Sequence, residues 1–170
     1  ANNGSVSADL QSLTAESASG TASGISASSG KASTINVANG LTVTGANGGT
    51  GIEASGAAHQ ITVGGLTDVS IASNGDNAIY AADGANVNLS GGVSLDVTGT
   101  GAVSGIKANG GNVTISGSKA VVKASTTGAG QTAYALNNTG SGDITINNTG
   151  NVELTASSAN GAAQAIGNSG

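Results

Sequence analysis

Residues 61–86 read ITVGGLTDVSIASNGDNAIYAADGAN, and a closely similar unit follows them. Three short runs of alternating apolar residues lie inside this unit, separated by Gly, Asn, Asp and Ser. The first run returns with related residues at 35–37, 87–89, 113–115 and 144–146. The first four runs therefore begin 26 residues apart, and the last step is 31. A fixed period of this size, with three strands per unit, predicts a solenoid in which each unit forms one coil.

The composition limits the kind of core that the chain can form. Its 170 residues include 30 Gly and two Tyr, with no Pro, Cys, Met, Trp or Phe. Richness in Gly, Ser, Thr and Asn is also typical of disorder, but disordered chains are poor in β-branched residues and lack a period. Here Val and Ile return at fixed positions, so we expect a folded chain with a thin core of Val, Ile, Leu and Ala.

The charge distribution argues against two classes of partner. The chain has no Arg, four Lys, nine carboxylates and a formal net charge of -5. Nucleic acids and anionic membrane surfaces are bound through clusters of basic residues, so we expect neither as a partner. No run of 18 apolar residues occurs, so this segment is not expected to insert into a membrane. The absence of Cys excludes disulfides and thiolate sites, and suits an extracellular fragment.

The repeat also predicts how the chain is divided. Residues 35–170 carry five units of 26 to 31 residues. Residues 1–34 contain few large aliphatic side chains, but 24–28 resemble 51–55. We therefore interpret 1–34 as a degenerate first coil and 35–170 as the β-helix repeats of a single domain with about six coils.

The first strand of each unit alternates apolar and polar residues. Successive side chains of a strand point to opposite faces, so Ile61 and Val63 should face inward and Thr62 outward. A solvated polar face is the simplest interpretation of these outward residues, and a contact surface is the functional one. The candidate contact column contains Asn36, Thr62, Asn88, Thr114 and Thr145.

The second and third strands are aligned by their apolar residues. In the second strands we align, as inward pairs, Leu41/Val43, Val69/Ile71, Leu95/Val97, Ala120/Val122 and Val152/Leu154. In the third strands, Ile52, Ile79 and Ile106 are each followed two residues later by Ala. The register stays open at Tyr134/Leu136 and Gln164/Ile166, where a slip of one residue is the alternative.

Two folds compete for this pattern. Asn-Gly and Asp-Gly pairs occur between the runs, as at 39–40 and 83–84, and such pairs often close two-residue hairpins. An antiparallel sandwich is therefore the main alternative. Equivalent strands recur once per period, however, and this favours stacked coils in which each strand pairs in parallel with its copy about 4.8 Å away. We expect an all-β fold of this second kind, a parallel β-helix.

Two units carry a family resemblance. Residues 105–116 (GIKANGGNVTIS) and 142–154 (GDITINNTGNVEL) resemble the repeats of passenger domains in Gram-negative autotransporter adhesins. The exoproteins of two-partner secretion share this pattern. The resemblance implies a right-handed parallel β-helix, exported across the outer membrane and displayed on the bacterial cell surface or secreted, with a part in adhesion and virulence. It transfers no binding residue, because such passengers share no site motif.

Residues that could carry chemistry are sparse. His59 has no Cys or second His near it in the sequence, so we expect a solvated turn residue and not a metal ligand. Asp68 and Asp96 lie near one register, and glycosidases use two carboxylates, but aromatic sugar platforms are missing. Asp76 and Asp83 lie in turns without the repeated calcium-binding motif. We therefore predict no enzyme activity, metal or cofactor.

The sequence leaves three hypotheses for the function of the chain. In the first, a stiff rod adheres or aggregates through its lateral polar face, with host or neighbouring-cell glycans or proteins as partners. In the second, copies of the chain stack end to end into fibres through open coil edges. A polysaccharide-acting enzyme on a β-helix is the minor alternative.

Overall fold

A computed structural model describes residues 5–28, 31–73 and 76–170, without the side chain of Ser73. In these ranges the chain winds through six coils, each with three strand positions. We call the three sides of the rod face one, face two and face three, in the order in which each coil visits them. The described residues include no helix that could span a membrane.

The strands of each face follow one another at intervals of one coil. Face one contains β1 (Ser7–Leu10), β4 (Thr34–Val37), β7 (Gln60–Val63), β10 (Asn86–Leu89) and the first parts of β13 (Asn112–Thr126) and β15 (Ile144–Ser158). Face two contains β2 (Leu13–Ser17), β5 (Gly40–Gly45), β8 (Leu66–Ser73), β11 (Val93–Gly99) and the second parts of β13 and β15. Face three contains β3 (Ala22–Ser28), β6 (Gly49–Ser55), β9 (Asn77–Ala82), β12 (Val103–Asn109), β14 (Ala133–Asn138) and β16 (Ala163–Asn168).

Strand pairing confirms the predicted architecture. Ile61 is paired with Ile35 of the coil before it and with Val87 of the coil after it, and both pairings are parallel. The other pairs between named strands are parallel as well. The protein is therefore a right-handed parallel β-helix with three strands per coil, and the antiparallel sandwich is excluded.

The core is a narrow stack of aliphatic side chains. Ile61 and Val63 are buried, as the alternation of the first strand predicts, and so are Leu41, Ile79 and Ile115. The buried aliphatic side chains of one coil pack against those of the coils beside it, as Ile61 does between Ile35 and Val87, so a single coil has nothing to bury its apolar surface against. The fold therefore depends on contacts between neighbouring coils.

The residues predicted to face inward in the second strands are buried in coils two to five, but their alignment is wrong by two residues between some coils. Val43 pairs with Val69, and Leu41 pairs with Thr67, which is fully buried. The predicted pairs Val69/Ile71 and Leu95/Val97 therefore lie one inward position further along the strand than Leu41/Val43, Ala120/Val122 and Val152/Leu154. The physical reason is that each of these strands has three inward positions. An apolar pair can fill the first and second positions or the second and third.

The third strands keep one register throughout. Leu136 pairs with Ile106, and Ile166 pairs with Leu136, so no slip occurs. The residue type does change at the next inward position, where Ala108 of one coil pairs with Asn138 of the following coil. The Asn138 side chain bonds to the local loop, since its Nδ2 donates to the carbonyl oxygen of Gly142 over 2.7 Å.

Faces two and three approach closely inside the rod. A Cβ added at Gly24, Gly51 or Gly105 would collide with a valine methyl group on face two. The valines concerned are Val43, Val69 and Val122. In the register, Ala78 takes the position of Gly51, and Leu95 takes that of Val69. Ala78 thus stands in place of glycine where Leu95 stands in place of valine. The side chain of leucine branches one carbon further out than that of valine, which leaves room for the alanine methyl group.

Candidate binding surfaces

The Asn/Thr column lies on face one, as a direct consequence of strand pairing. Asn36 pairs with Thr62, which pairs with Asn88, and the register continues through Thr114 to Thr145. Asn36 and Asn88 are exposed, and the three threonines are half-buried. The five side chains that the sequence singled out therefore occupy one row, with about 4.8 Å between neighbours.

The column begins one coil earlier than predicted, at Asp9. Asp9 pairs with Asn36, and Asn36 Nδ2 donates to Asp9 Oδ1 over 2.7 Å. A shallow depression of about 240 Å³ adjoins these two residues, with Gln11 and Thr62 also on its lining. Asp9 was missed because the first coil has few aliphatic residues to mark its strands.

A second polar row flanks the column on face one. Asn112 Nδ2 donates to Asn86 Oδ1 over 3.1 Å, and Asn112 Oδ1 accepts from the backbone N–H of Asp143 over 3.1 Å. These bonds run along the rod axis, from coil to coil. Amide side chains at this position therefore stabilise the stack as well as presenting a polar surface.

The carboxylates of face two are spread over the surface. Asp68 pairs with Ser94, and Asp96 pairs with Ser70, so the two acids are diagonal neighbours and not opposite one another. Lys123 Nζ lies 3.8 Å from Glu153 Oε1, with both side chains 49% exposed. An ion pair with this exposure contributes little to stability.

Asp76 and Asp83 have structural contacts. Asp76 Oδ2 accepts from the backbone N–H of Gly49 over 3.2 Å, and Asp83 Oδ2 accepts from the Ser55 hydroxyl over 2.7 Å. Asp83 has a φ of 53°, a left-handed conformation that Asp tolerates better than most residues. Among the residues that the structure describes, no group of three or more His, Cys, Asp or Glu side chains could hold a metal ion.

His59 lies inside the rod, which corrects the prediction that it is solvated. Its side chain is 2% exposed, and its Nδ1 has no hydrogen-bond partner among the described residues. The position is an inward-facing corner between face three and face one, and its equivalents Ser33 and Ala85 are buried too. The corner geometry, repeated in each coil, overrides the ordinary preference of histidine for the surface.

Both aromatic residues of the chain lie on face three, a feature that the sequence analysis missed. Tyr80 pairs with Lys107, whose Nζ lies 5.9 Å from the centre of the Tyr80 ring. Tyr134 lies two coils after Tyr80, and a Cβ added at Gly167 would lie only 2.7 Å from its ring. The signal available in the sequence was that both tyrosines fall within third strands.

Comparison of the chain with known protein families, with curated proteins and with solved structures finds no match in any of the three.

Proposed function

We propose that the chain is a structural and adhesive segment of a bacterial protein that is secreted or displayed on the cell surface. The observation that carries the proposal is the alignment of five polar side chains into one solvent-facing row on face one. Hydroxyl and amide groups both donate and accept hydrogen bonds, so such a row suits glycans and polar protein surfaces. The proposal assigns no catalytic step, metal or cofactor to the chain.

The rod geometry supports this function. Parallel ladders engage backbone groups along its length, and the core is continuous from coil to coil. A surface built this way is held in place before it meets its partner, which lowers the ordering cost of binding. Repetition also multiplies weak contacts, so a row of individually poor sites can give useful adhesion.

Adhesion of coated beads to target cells tests the proposal. Asn88→Arg combined with Thr114→Arg places two long cations in the middle of the column and should reduce bead retention. The matched control, Thr14→Arg with Gln164→Arg, adds the same charge at exposed positions on faces two and three. Equal retention of both variants would argue against the column as the adhesive surface.

A second candidate function, end-to-end assembly, is favoured by the apolar surface of the last coil. Val152 is 46% exposed and Ile166 is 66% exposed. Their neighbours in the register, Ala120 and Leu136, are 0% and 7% exposed. Both side chains stand at inward positions of the register and are exposed in this structure, and the first coil of a second copy would supply Leu13 at the position that stacks on Val152.

Sedimentation velocity over a range of protein concentrations tests this assembly. The wild-type chain should form species larger than the monomer, and Ile166→Lys should remove them because it places a charge on the apolar end. Thr155→Lys, at an exposed outward position of the same coil, should leave assembly unchanged. A wild-type chain that stays monomeric at every concentration would eliminate end-to-end assembly.

A further inference from the structure

A groove runs along the rod at the edge of face two, where the second strands end. It consists of three adjoining depressions of about 480, 490 and 330 Å³. The first and second share Ser17, Ala18 and Thr44, and the second and third share Ala46, Ala72 and Thr98. The groove therefore crosses five coils, from the first to the fifth, a length of about 19 Å at about 4.8 Å per coil.

Small side chains form the floor of the groove. Ala46 lies next to Ala72 in the register, and Ala72 pairs with Thr98. Because alanine has only a methyl group, the floor lies below the longer side chains along one wall. That wall contains Glu16, Thr44, Ser70 and Asp96.

The lining is polar and exposed, and its charges have one sign. Thr44, Ser70 and Thr98 are exposed and line the groove, so it carries hydroxyl-bearing side chains. The charged residues that line the three depressions are Glu16 and Asp96. Lys123 follows Asp96 in the same row of the register, and its Nζ lies 3.8 Å from Glu153 Oε1. An anionic ligand would meet repulsion from the carboxylates of Glu16 and Asp96.

We propose that this groove binds a linear, uncharged glycan that lies parallel to the rod axis. The inference rests on the proposed adhesive function, but it moves the glycan contact from the Asn/Thr column to the groove. Sugar hydroxyls, like those of Ser and Thr, can donate and accept hydrogen bonds, and the carboxylates add strong acceptors. The open ends of the groove allow a chain longer than the groove itself to pass through.

An extended polypeptide fits the same groove less well. Its residues repeat about every 3.3 Å, whereas the coils present their side chains about every 4.8 Å. The two spacings do not match, so equivalent contacts could not be repeated from coil to coil. The groove also runs across the strands, whose backbone groups are engaged in the coil-to-coil ladders. A peptide backbone would therefore find no sheet edge to extend.

Binding of the purified chain to immobilised hexasaccharides tests the proposal. The neutral set consists of cello-, xylo- and manno-oligosaccharides, and the anionic set of oligogalacturonate. We expect at least one neutral oligosaccharide to bind, with no binding of oligogalacturonate. Ala72→Arg, which fills the floor at an exposed position, should weaken that binding by roughly tenfold or more.

Thr62→Arg, on face one, separates this inference from the proposed function. Neutral-glycan binding that survives Thr62→Arg but not Ala72→Arg supports the groove, provided that both variants unfold at the wild-type temperature. Loss with Thr62→Arg alone would overturn the groove and leave the column as the adhesive surface. Failure of every neutral oligosaccharide to bind would also overturn the groove, while the bead assay could still support adhesion to a protein.

Discussion

The side chain of Asn112 is bonded to the coils on both sides of its own. Its Nδ2 donates to Asn86 Oδ1 over 3.1 Å, and its Oδ1 accepts from the backbone N–H of Asp143 over 3.1 Å. A single residue thus links three successive coils outside the backbone ladders. In a repeat protein, stability depends on such interfaces between neighbours more than on any one unit.

Replacement of Asn112 should therefore destabilise the rod. Asn112→Ala removes both bonds of a partly buried side chain, and we expect the free energy of unfolding to fall by about 1–3 kcal/mol. Chemical denaturation followed by circular dichroism measures this change. Asn88→Ala, at an exposed position on the same face, is the control and should change stability by about 0.5 kcal/mol or less. Equal effects would mean that the two bonds contribute no net stability.

Two isoleucines at one register position should differ sharply in their contribution to stability. Ile79 is fully buried in the middle of the rod, whereas Ile166 is 66% exposed at its end. Ile79→Ala should lower the free energy of unfolding by about 2–5 kcal/mol because it leaves a cavity. Ile166→Ala should change it by about 0.5 kcal/mol or less. A large loss from Ile166→Ala at low protein concentration would show that the last coil is covered in solution.

The first strands could be read from the sequence, whereas the second strands were misaligned. A first strand has two inward positions, which Ile61 and Val63 fill, so the register has one solution. A second strand has three inward positions, and Thr67 at one of them breaks the apolar pattern. Alignment by hydrophobicity then moves the pair by two residues, a shift that leaves the inside and outside faces unchanged.

The surfaces were harder to predict than the fold. The Asn/Thr column repeats at 26 residues through coils two to five and is visible as a pattern, so its alignment could be expected. The groove forms where side chains at the end of the second strands are shorter than their neighbours. The 26-residue period predicts which residues stack, but it does not predict the depth of the surface at the corner that follows. His59 shows the same limit, because burial at its corner depends on the path of the backbone and not on residue type.

Thr67 offers a route to a more stable rod. Its side chain is fully buried, and its Oγ1 has no hydrogen-bond partner among the described residues. Thr67→Val removes the unpaired hydroxyl and introduces the residue found at the paired position, Val93. We expect the free energy of unfolding to rise by about 1–2 kcal/mol. Thr44→Val, at an exposed position, is the matched control, and a loss of stability from Thr67→Val would show that the hydroxyl is satisfied.

The pairing of glycine with valine inside the rod can be tested by exchanging both partners. Gly105→Ala alone should lower the free energy of unfolding by about 1–3 kcal/mol, because the added Cβ collides with Val122 and with the carbonyl oxygen of Ala135. Addition of Val122→Leu should restore part of the loss, since Ala78 and Leu95 occupy the equivalent positions one coil earlier.

Denaturation of both single variants and the double variant measures the coupling directly. A favourable interaction energy of about 0.5 kcal/mol or more would establish that the two positions adapt to each other. Additive losses would instead mean that the Ala135 carbonyl oxygen on face three, and not Val122 on face two, opposes the added methyl group. The native pairing would then reflect the backbone surroundings of Gly105 and not the shape of the neighbouring side chain.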